Sequence, residues 1–166
     1  LGALPTPAPG RAAQATGDPP GIVAEHAIVL SLPGPVVVYE RAAGASVAPA
    51  SLTKLMTARV ALQRADLGRR LTVAQPDLIG QASMGLAVGE TLTLEALLYG
   101  LLLPSGNDAA MTIARELGAA GGGGTPAEAV ARFVGWMNDE ADRLGLRQTR
   151  FVNPHGLDAP GHLSSA

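Results

Sequence analysis

A strongly amphipathic segment near the C-terminal end of the chain sets the first requirement on the fold. The run Thr125-Pro126-Ala127-Glu128 has the pattern of a capping box with proline at the first helical position, which predicts where a helix begins. Gly145 is suited to end that helix. Between them, apolar side chains recur at spacings of three and four, at Val130, Phe133, Val134, Met137, Ala141 and Leu144. Such a stripe predicts a helix that packs into a core, and we assign it no further role.

The composition indicates which side chains form this core, and it argues against nucleic-acid binding and a membrane span. Hydrophobic residues make up 47% of the chain but aromatic residues only 3%, so the core must consist of Leu, Val, Ala and Met. A length of 166 residues fits one domain. The net charge of −2, without a basic block, does not suggest nucleic acid, and no apolar run reaches the ~18 residues of a membrane span.

Cysteine and histidine usage gives no sign of a metal or cofactor. The chain has no cysteine, which rules out disulfides and thiolate metal sites and is compatible with an oxidising compartment. His26, His155 and His162 lie far apart and lack the spacing of metal ligands. We therefore expect structural or solvent-exposed roles for the three histidines.

The first part of the chain predicts a linker and then a β-hairpin. Residues 1–21 are rich in Pro, Ala and Gly, with too few large apolar side chains to offset the entropy of ordering. Ala27–Leu30 and Val36–Tyr39 are short β-branched runs on either side of Pro33-Gly34-Pro35, as in a hairpin. Their continuous apolarity predicts that both faces are covered.

Two further helices are predicted in the middle of the chain. Residues 69–91 contain several Pro and Gly residues and are expected to be irregular. Thr93 can cap a helix over 94–103, and a second helix is expected over 108–117, with Asn107 or Asp108 as its cap.

A serine and a lysine stand three residues apart at the start of the apolar run 52–62. On a helix, Ser51 and Lys54 would share one face, and Pro49 suits the first turn. The positive end of the helix dipole favours an alkoxide at Ser51 and disfavours an ammonium at Lys54. Both effects favour transfer of the serine proton to Lys54, which predicts a nucleophile and its general base.

Lys54 is the only lysine, since the other eleven basic residues are arginines. Lysine can lose its proton when desolvated, whereas arginine cannot, so its place beside Ser51 favours a chemical role. The alternative that these residues alone leave open is a helix cap at Ser51 and a surface lysine.

Three further segments of the chain carry short motifs. Residues 49–58 contain Ser51-x-x-Lys54, residues 97–110 contain Ser105-Gly106-Asn107, and residues 151–157 read Phe-Val-Asn-Pro-His-Gly-Leu. Together they resemble the Ser-x-x-Lys motif, the Ser-x-Asn motif and the stretch after the long helix of the serine D-alanyl-D-alanine carboxypeptidases, the low-molecular-weight penicillin-binding proteins. The resemblance runs from about Ala27 to the C-terminus, with the segments in the family's order.

The resemblance implies an α/β fold of the β-lactamase/transpeptidase type, with an N-terminal hairpin, a catalytic helix and a separate helical lobe over 94–144. It also implies that Ser51 is acylated, that Lys54 is its base, and that Ser105 relays a proton to the leaving amine. Asn107 would donate to the substrate amide and contact Lys54. Without the Ser51 segment, Ser105 and Asn107 would be interpreted as turn and cap residues between two helices.

One departure concerns the third family motif, Lys-Thr-Gly, which binds the substrate carboxylate on a later strand. The single lysine is already assigned, so we expect the chain to lack this motif and the remaining sheet strands. We therefore expect residues 22–166, after the linker 1–21, to be an incomplete catalytic domain that is inactive alone.

The resemblance implies a peptidoglycan-trimming enzyme outside the cytoplasm, in the periplasm or cell-wall space. Its expected partners are stem peptides ending in D-Ala-D-Ala and β-lactam antibiotics, with any membrane anchor outside this chain. The absence of a Glu-containing deacylation loop favours a carboxypeptidase over a β-lactamase. Two alternatives remain: a non-catalytic remnant that binds stem peptides or a partner, and a helical domain without either role.

Overall fold

The computed structural model describes residues 21–34 and 36–166. The predicted linker 1–21 therefore lies, except for Gly21, outside the described residues. The described chain falls into two compact units, a small one that extends to Ser46 and includes Ser165–Ala166, and a large one, Val47–Ser164.

The small unit contains the predicted hairpin. Strand β1, Ala27–Ser31, pairs antiparallel with strand β2, Val36–Arg41, with an irregularity in the register between Val29 and Leu30. The prediction that both faces are covered is wrong, because apolar side chains on both strands are between 38% and 50% exposed, at Ile28, Val29, Leu30, Val36 and Val38. A continuous apolar run favours burial, but two strands alone offer little surface for it.

The large unit is mainly helical. Its elements are a 3₁₀ turn, Ala50–Leu52, and then α1 Thr53–Arg64, β3 Arg70–Thr72, a second 3₁₀ turn Gln75–Asp77, β4 Thr91–Thr93, α2 Leu94–Leu102, α3 Asn107–Ala120 and α4 Pro126–Arg143. Strands β3 and β4 pair antiparallel, so residues 69–91 are less irregular than the sequence predicted. Each strand is only three residues long, which is too short for an alternating apolar pattern to be recognised in the sequence.

All four helices contribute to one core. Its buried side chains come from α1, α2, α3 and α4 and from the segment after α4, and include Met56, Val60, Leu97, Leu101, Ile113, Phe133, Met137 and Phe151. The expectation of a helical lobe separate from the serine helix is therefore wrong, because α1 packs its apolar face into the same cluster as the other helices. The core is built largely of Leu, Ala, Val and Met, as the composition required.

The helix boundaries follow the local sequence signals with one exception. Thr93 Oγ1 accepts from the Ala96 N–H, and Thr125 and Glu128 form the predicted reciprocal capping box. Gly145 follows α4 with φ +75°, the left-handed conformation of a helix stop. Helix α3 is the exception: it begins at Asn107 itself, and Gly106 precedes it without a side-chain cap.

Residues 150–164, which we call the strap, fold back along the helical unit. Arg150 pairs with Leu163, and Ser164 pairs with Val47, through isolated β-bridges. Among the described residues, no helix is both long and apolar enough to cross a membrane.

Candidate active site

Ser51 lies in the 3₁₀ turn that precedes α1, and its side chain faces solvent. The residue before it, Ala50, has φ +46°, a left-handed conformation that costs an L-residue about 1–2 kcal/mol. This strained turn places the exposed hydroxyl of Ser51 directly above the buried first turn of α1.

The Lys54 side chain is only 2% exposed and points back toward Ser51. Its Nζ lies 3.3 Å from Ser51 Oγ, 2.9 Å from Asn107 Oδ1 and 2.6 Å from the His155 carbonyl oxygen. Among the described residues no carboxylate forms an ion pair with it. Burial therefore lowers the pKa of Lys54 without an opposing negative charge.

The hydrogen-bond partners of Lys54 also fix where the remaining tetrahedral position on its Nζ points. The Asn107 and His155 oxygens can only accept, so each takes one N–H of the amine. The remaining tetrahedral position faces Ser51 Oγ. In the neutral amine that position holds the lone pair, which is the arrangement a base needs to accept the serine proton.

Ser105 and Asn107 complete the group of four predicted residues. Ser105 Oγ lies 2.8 Å from Ser51 Oγ, and Ser105 has φ +61° in the turn between α2 and α3. Asn107 is 2% exposed, and one N–H of its Nδ2 donates to the Gly80 carbonyl. The structure thus brings all four residues predicted from the sequence to one place.

The strap reaches the first two turns of α1 at three points that the sequence analysis did not identify. Besides the Lys54 contact, Thr57 Oγ1 donates to the Pro154 carbonyl at 2.6 Å, and Thr53 Oγ1 lies 2.8 Å from His162 Nε2. Thr53 and Thr57 are fully buried, one turn apart. Two threonines on the buried face of a helix, beside a lysine, were the available signal for a polar partner.

Each histidine of the strap accepts a backbone N–H at its Nδ1. The Val152 N–H donates to His162 Nδ1, so the proton sits on Nε2 and donates to Thr53. Likewise the Leu157 N–H donates to His155 Nδ1. Burial lowers the pKa of His155 to about 4, with smaller contributions from the positive charges that Lys54 and His162 carry when they are protonated, and burial also lowers the pKa of His162.

A cavity of about 540 Å³ opens beside Ser51 and is lined by Asn107, residues 81–82 and residues 155–158 of the strap. Ligand sites in proteins commonly measure about 300–1,000 Å³, and this cavity lies within that range. No cluster of His, Cys, Asp or Glu side chains suited to a metal ion occurs in the described part of the chain.

Comparison with known proteins shows to which family the chain belongs. The family model for D-alanyl-D-alanine carboxypeptidases, of the S11 peptidase class, matches residues 13–166. The chain belongs to the D-alanyl-D-alanine carboxypeptidase family. The match confirms the resemblance drawn from the three sequence segments.

Relatives in this carboxypeptidase family are similar over most of the chain. The carboxypeptidase DacF of Bacillus subtilis is 34% identical over 86% of this chain, and DacC of Escherichia coli is 35% identical over 93%. A mutant of the Streptomyces K15 DD-transpeptidase superposes with a TM-score of 0.82 at 32% identity, over 89% of this chain. These likenesses confirm the α/β fold class of the family.

The same comparisons show how much of each relative is matched. The chain spans 36% of the length of DacF, 40% of DacC and 58% of the K15 structure. The chain therefore spans less than two thirds of each of these relatives.

Proposed function

We propose that the protein is a serine D-Ala-D-Ala carboxypeptidase that acts on peptidoglycan stem peptides and is acylated on Ser51. The observation that carries this proposal is the Lys54 amine, which is buried, unpaired with any carboxylate of the described chain, and 3.3 Å from Ser51 Oγ. The names of the relatives support the same reaction class.

In the proposed reaction Ser51 Oγ attacks the carbonyl carbon of the penultimate D-Ala, and Lys54 Nζ takes the serine proton. The bond from that carbon to the terminal amide nitrogen then breaks. Ser105 donates its hydroxyl proton to the departing amine and takes up the proton that Lys54 holds, which restores both groups. An ester on Ser51 remains and is hydrolysed by water. The second N–H of Asn107 Nδ2, which has no partner among the described residues, donates to the substrate amide.

We also propose a domain organisation and a cellular location for this reaction. Residues 22–166 contribute to the catalytic domain, and residues 1–21 form a linker before it. The protein is secreted to the periplasm or cell-wall space, where peptidoglycan and cell shape are maintained. Penicillins acylate Ser51 because their reactive carbonyl takes the place of the D-Ala carbonyl.

A second candidate is a non-catalytic remnant that binds stem peptides or a partner. It is favoured by one observation: with a single lysine, these 166 residues contain no Lys-Thr-Gly. Losing one oxyanion donor costs about 10²–10³ in rate. Losing the cation that orients the substrate carboxylate costs about another 10². We therefore expect the 166-residue chain alone to resist acylation even where the full-length protein reacts.

Intact mass spectrometry after incubation with a penicillin distinguishes the candidates. The full-length protein should gain one adduct, which disappears in Ser51→Ala and persists in the control Ser31→Ala. The 166-residue chain should gain none. A full-length protein without an adduct supports the binding remnant, and so does a stop codon after Ala166. A Lys-Thr-Gly encoded further on supports the enzyme.

A further inference from the structure

Gly156 of the strap lies against the peptide bond that joins Ala50 to Ser51. A Cβ placed on Gly156 would be 2.0 Å from the Ala50 carbonyl oxygen, 2.5 Å from its carbon and 3.1 Å from the Ser51 nitrogen. Gly156 is buried and has φ +93°. No other residue type fits this position without displacing the backbone that carries Ser51.

The backbone that Gly156 contacts is itself strained. Ala50 is held at φ +46°, and such a conformation persists only where the surroundings enforce it. The strap supplies those surroundings on one side, since it is bonded to α1 at Thr53, Lys54 and Thr57. The Ala50–Ser51 peptide is thus confined beside a segment fixed to the helix that follows it.

The side chain of Asn153 holds Gly156 in place. Its Oδ1 accepts from the N–H groups of His155 and Gly156, at 3.2 and 2.7 Å, and its Nδ2 donates to the Leu157 carbonyl at 2.8 Å. One side chain therefore braces the turn on both sides of the glycine, as Asn does in tight turns.

We propose that Gly156 is a positioning residue for Ser51: its missing side chain lets the strap hold the Ala50–Ser51 peptide where the serine hydroxyl meets Lys54 and Ser105. The inference rests on the proposed role of Ser51 as nucleophile. A methyl group at Gly156 must move Ala50 O by about 1 Å or more to reach even the closest contacts found in proteins, from its 2.0 Å. A misplacement of about 1 Å costs about 10² in rate.

The test compares Gly156→Ala with Gly161→Ala in the full-length protein. Both glycines have positive φ, +93° and +82°, but a Cβ at Gly161 would have nothing within 4 Å. The pair therefore separates backbone strain, which both variants share, from the contact with Ala50. The readout is acylation by a chromogenic penicillin, resolved into the binding constant and the first-order acylation rate.

We expect Gly156→Ala to lower the acylation rate about 10²-fold, with binding and the number of reactive sites unchanged. Gly161→Ala should keep the wild-type rate. A purely structural role would instead reduce the number of reactive sites and leave the rate of the remainder intact. Equal rates in the two variants would overturn the inference. Should Gly156→Ala not fold, Asn153→Ala replaces it, and an unchanged acylation rate there is equally decisive against the inference.

A failure of the proposed function looks different. In that case the wild-type protein gains no penicillin adduct. A crystal structure of the Gly156→Ala chain then decides whether Gly156 sets the position of the Ala50–Ser51 peptide. A shift of Ala50 O by about 1 Å would support the role, given the 2.0 Å contact predicted for the added methyl group. An unmoved Ala50–Ser51 peptide would refute it.

Discussion

Replacing Asp108 by Asn should weaken the attachment of one loop to α3 with almost no change of shape. The Asp108 carboxylate is 1% exposed and accepts from Ser83 Oγ and from the backbone N–H groups of four residues. Those N–H donors are Met84 and Ala109 at Oδ1, and Gly85 and Leu86 at Oδ2. The carboxylate thus holds the loop 83–86 on the first turn of α3, next to Asn107.

The expected cost follows from counting donors. An Asn side chain has one acceptor oxygen, so in either amide orientation two backbone N–H groups face an NH₂ instead. Each unsatisfied donor costs about 1–3 kcal/mol. Because the loop is partly exposed, water can reach it, and the low end applies. We expect the free energy of unfolding to fall by about 2 kcal/mol at pH 7.

The sign of the pH dependence provides a second check. Burial raises the pKa of the Asp108 carboxyl, but the hydrogen bonds from Ser83, Met84, Leu86 and Ala109 lower it by more, so its pKa lies below the ordinary value. A depressed carboxylate pKa contributes stability above the unfolded pKa, and this is lost as pH falls through the folded pKa. The difference between wild type and Asp108→Asn should therefore shrink below about pH 4.

Urea unfolding followed by circular dichroism at pH 7 and pH 3 measures both effects. The matched control is Asp142→Asn, an exposed carboxylate on α4, which should change stability by less than about 0.5 kcal/mol. Equal stability of Asp108→Asn and wild type at pH 7, or a loss that is the same at both pH values, would refute this reasoning.

Three other predictions follow from the site and its surface. Lys54→Arg retains the charge but should abolish penicillin acylation, because a guanidinium cannot act as a base; mass spectrometry would detect a residual adduct that contradicts this. His155, with its pKa lowered to about 4 from 6.5, should make unfolding easier as pH falls between these values, since the unfolded chain binds the extra proton; His155→Gln should flatten that part of the stability profile. Leu55 on α1 is 60% exposed, so Leu55→Glu should raise the solubility of the 166-residue chain and leave its melting temperature unchanged, as light scattering and calorimetry would show.

Local signals predicted the parts of the fold that depend on neighbours in sequence. The Thr125–Glu128 box, the Gly145 stop and the Ser51–Lys54 pair each lie within about one helical turn, where backbone geometry relates the residues directly. Ser105 and Asn107 required the family resemblance, because a turn between helices looks the same whether or not it carries chemistry.

The remaining contacts join residues that no local pattern connects. His162 and Thr53 are 109 residues apart, and Asp108 meets a loop 22–25 residues earlier. Apolar periodicity indicates which face of a helix is buried, but not against which partner. For this reason α1 was assigned apart from the other helices although its Met56 and Val60 lie in the same core.

The strap makes the order of synthesis matter for the assembly of the site. The His155 carbonyl that accepts from Lys54 is synthesised 101 residues after the lysine. At translation rates of about 5–20 residues per second, roughly 5–20 s separate the two on the ribosome. During that interval a nascent chain that has reached Asn107 already contains every residue of the Ser-x-x-Lys and Ser-x-Asn motifs, yet its amine has no oxygen to orient it from the strap side. During synthesis, the two motifs are therefore complete before the strap can orient the Lys54 amine toward Ser51.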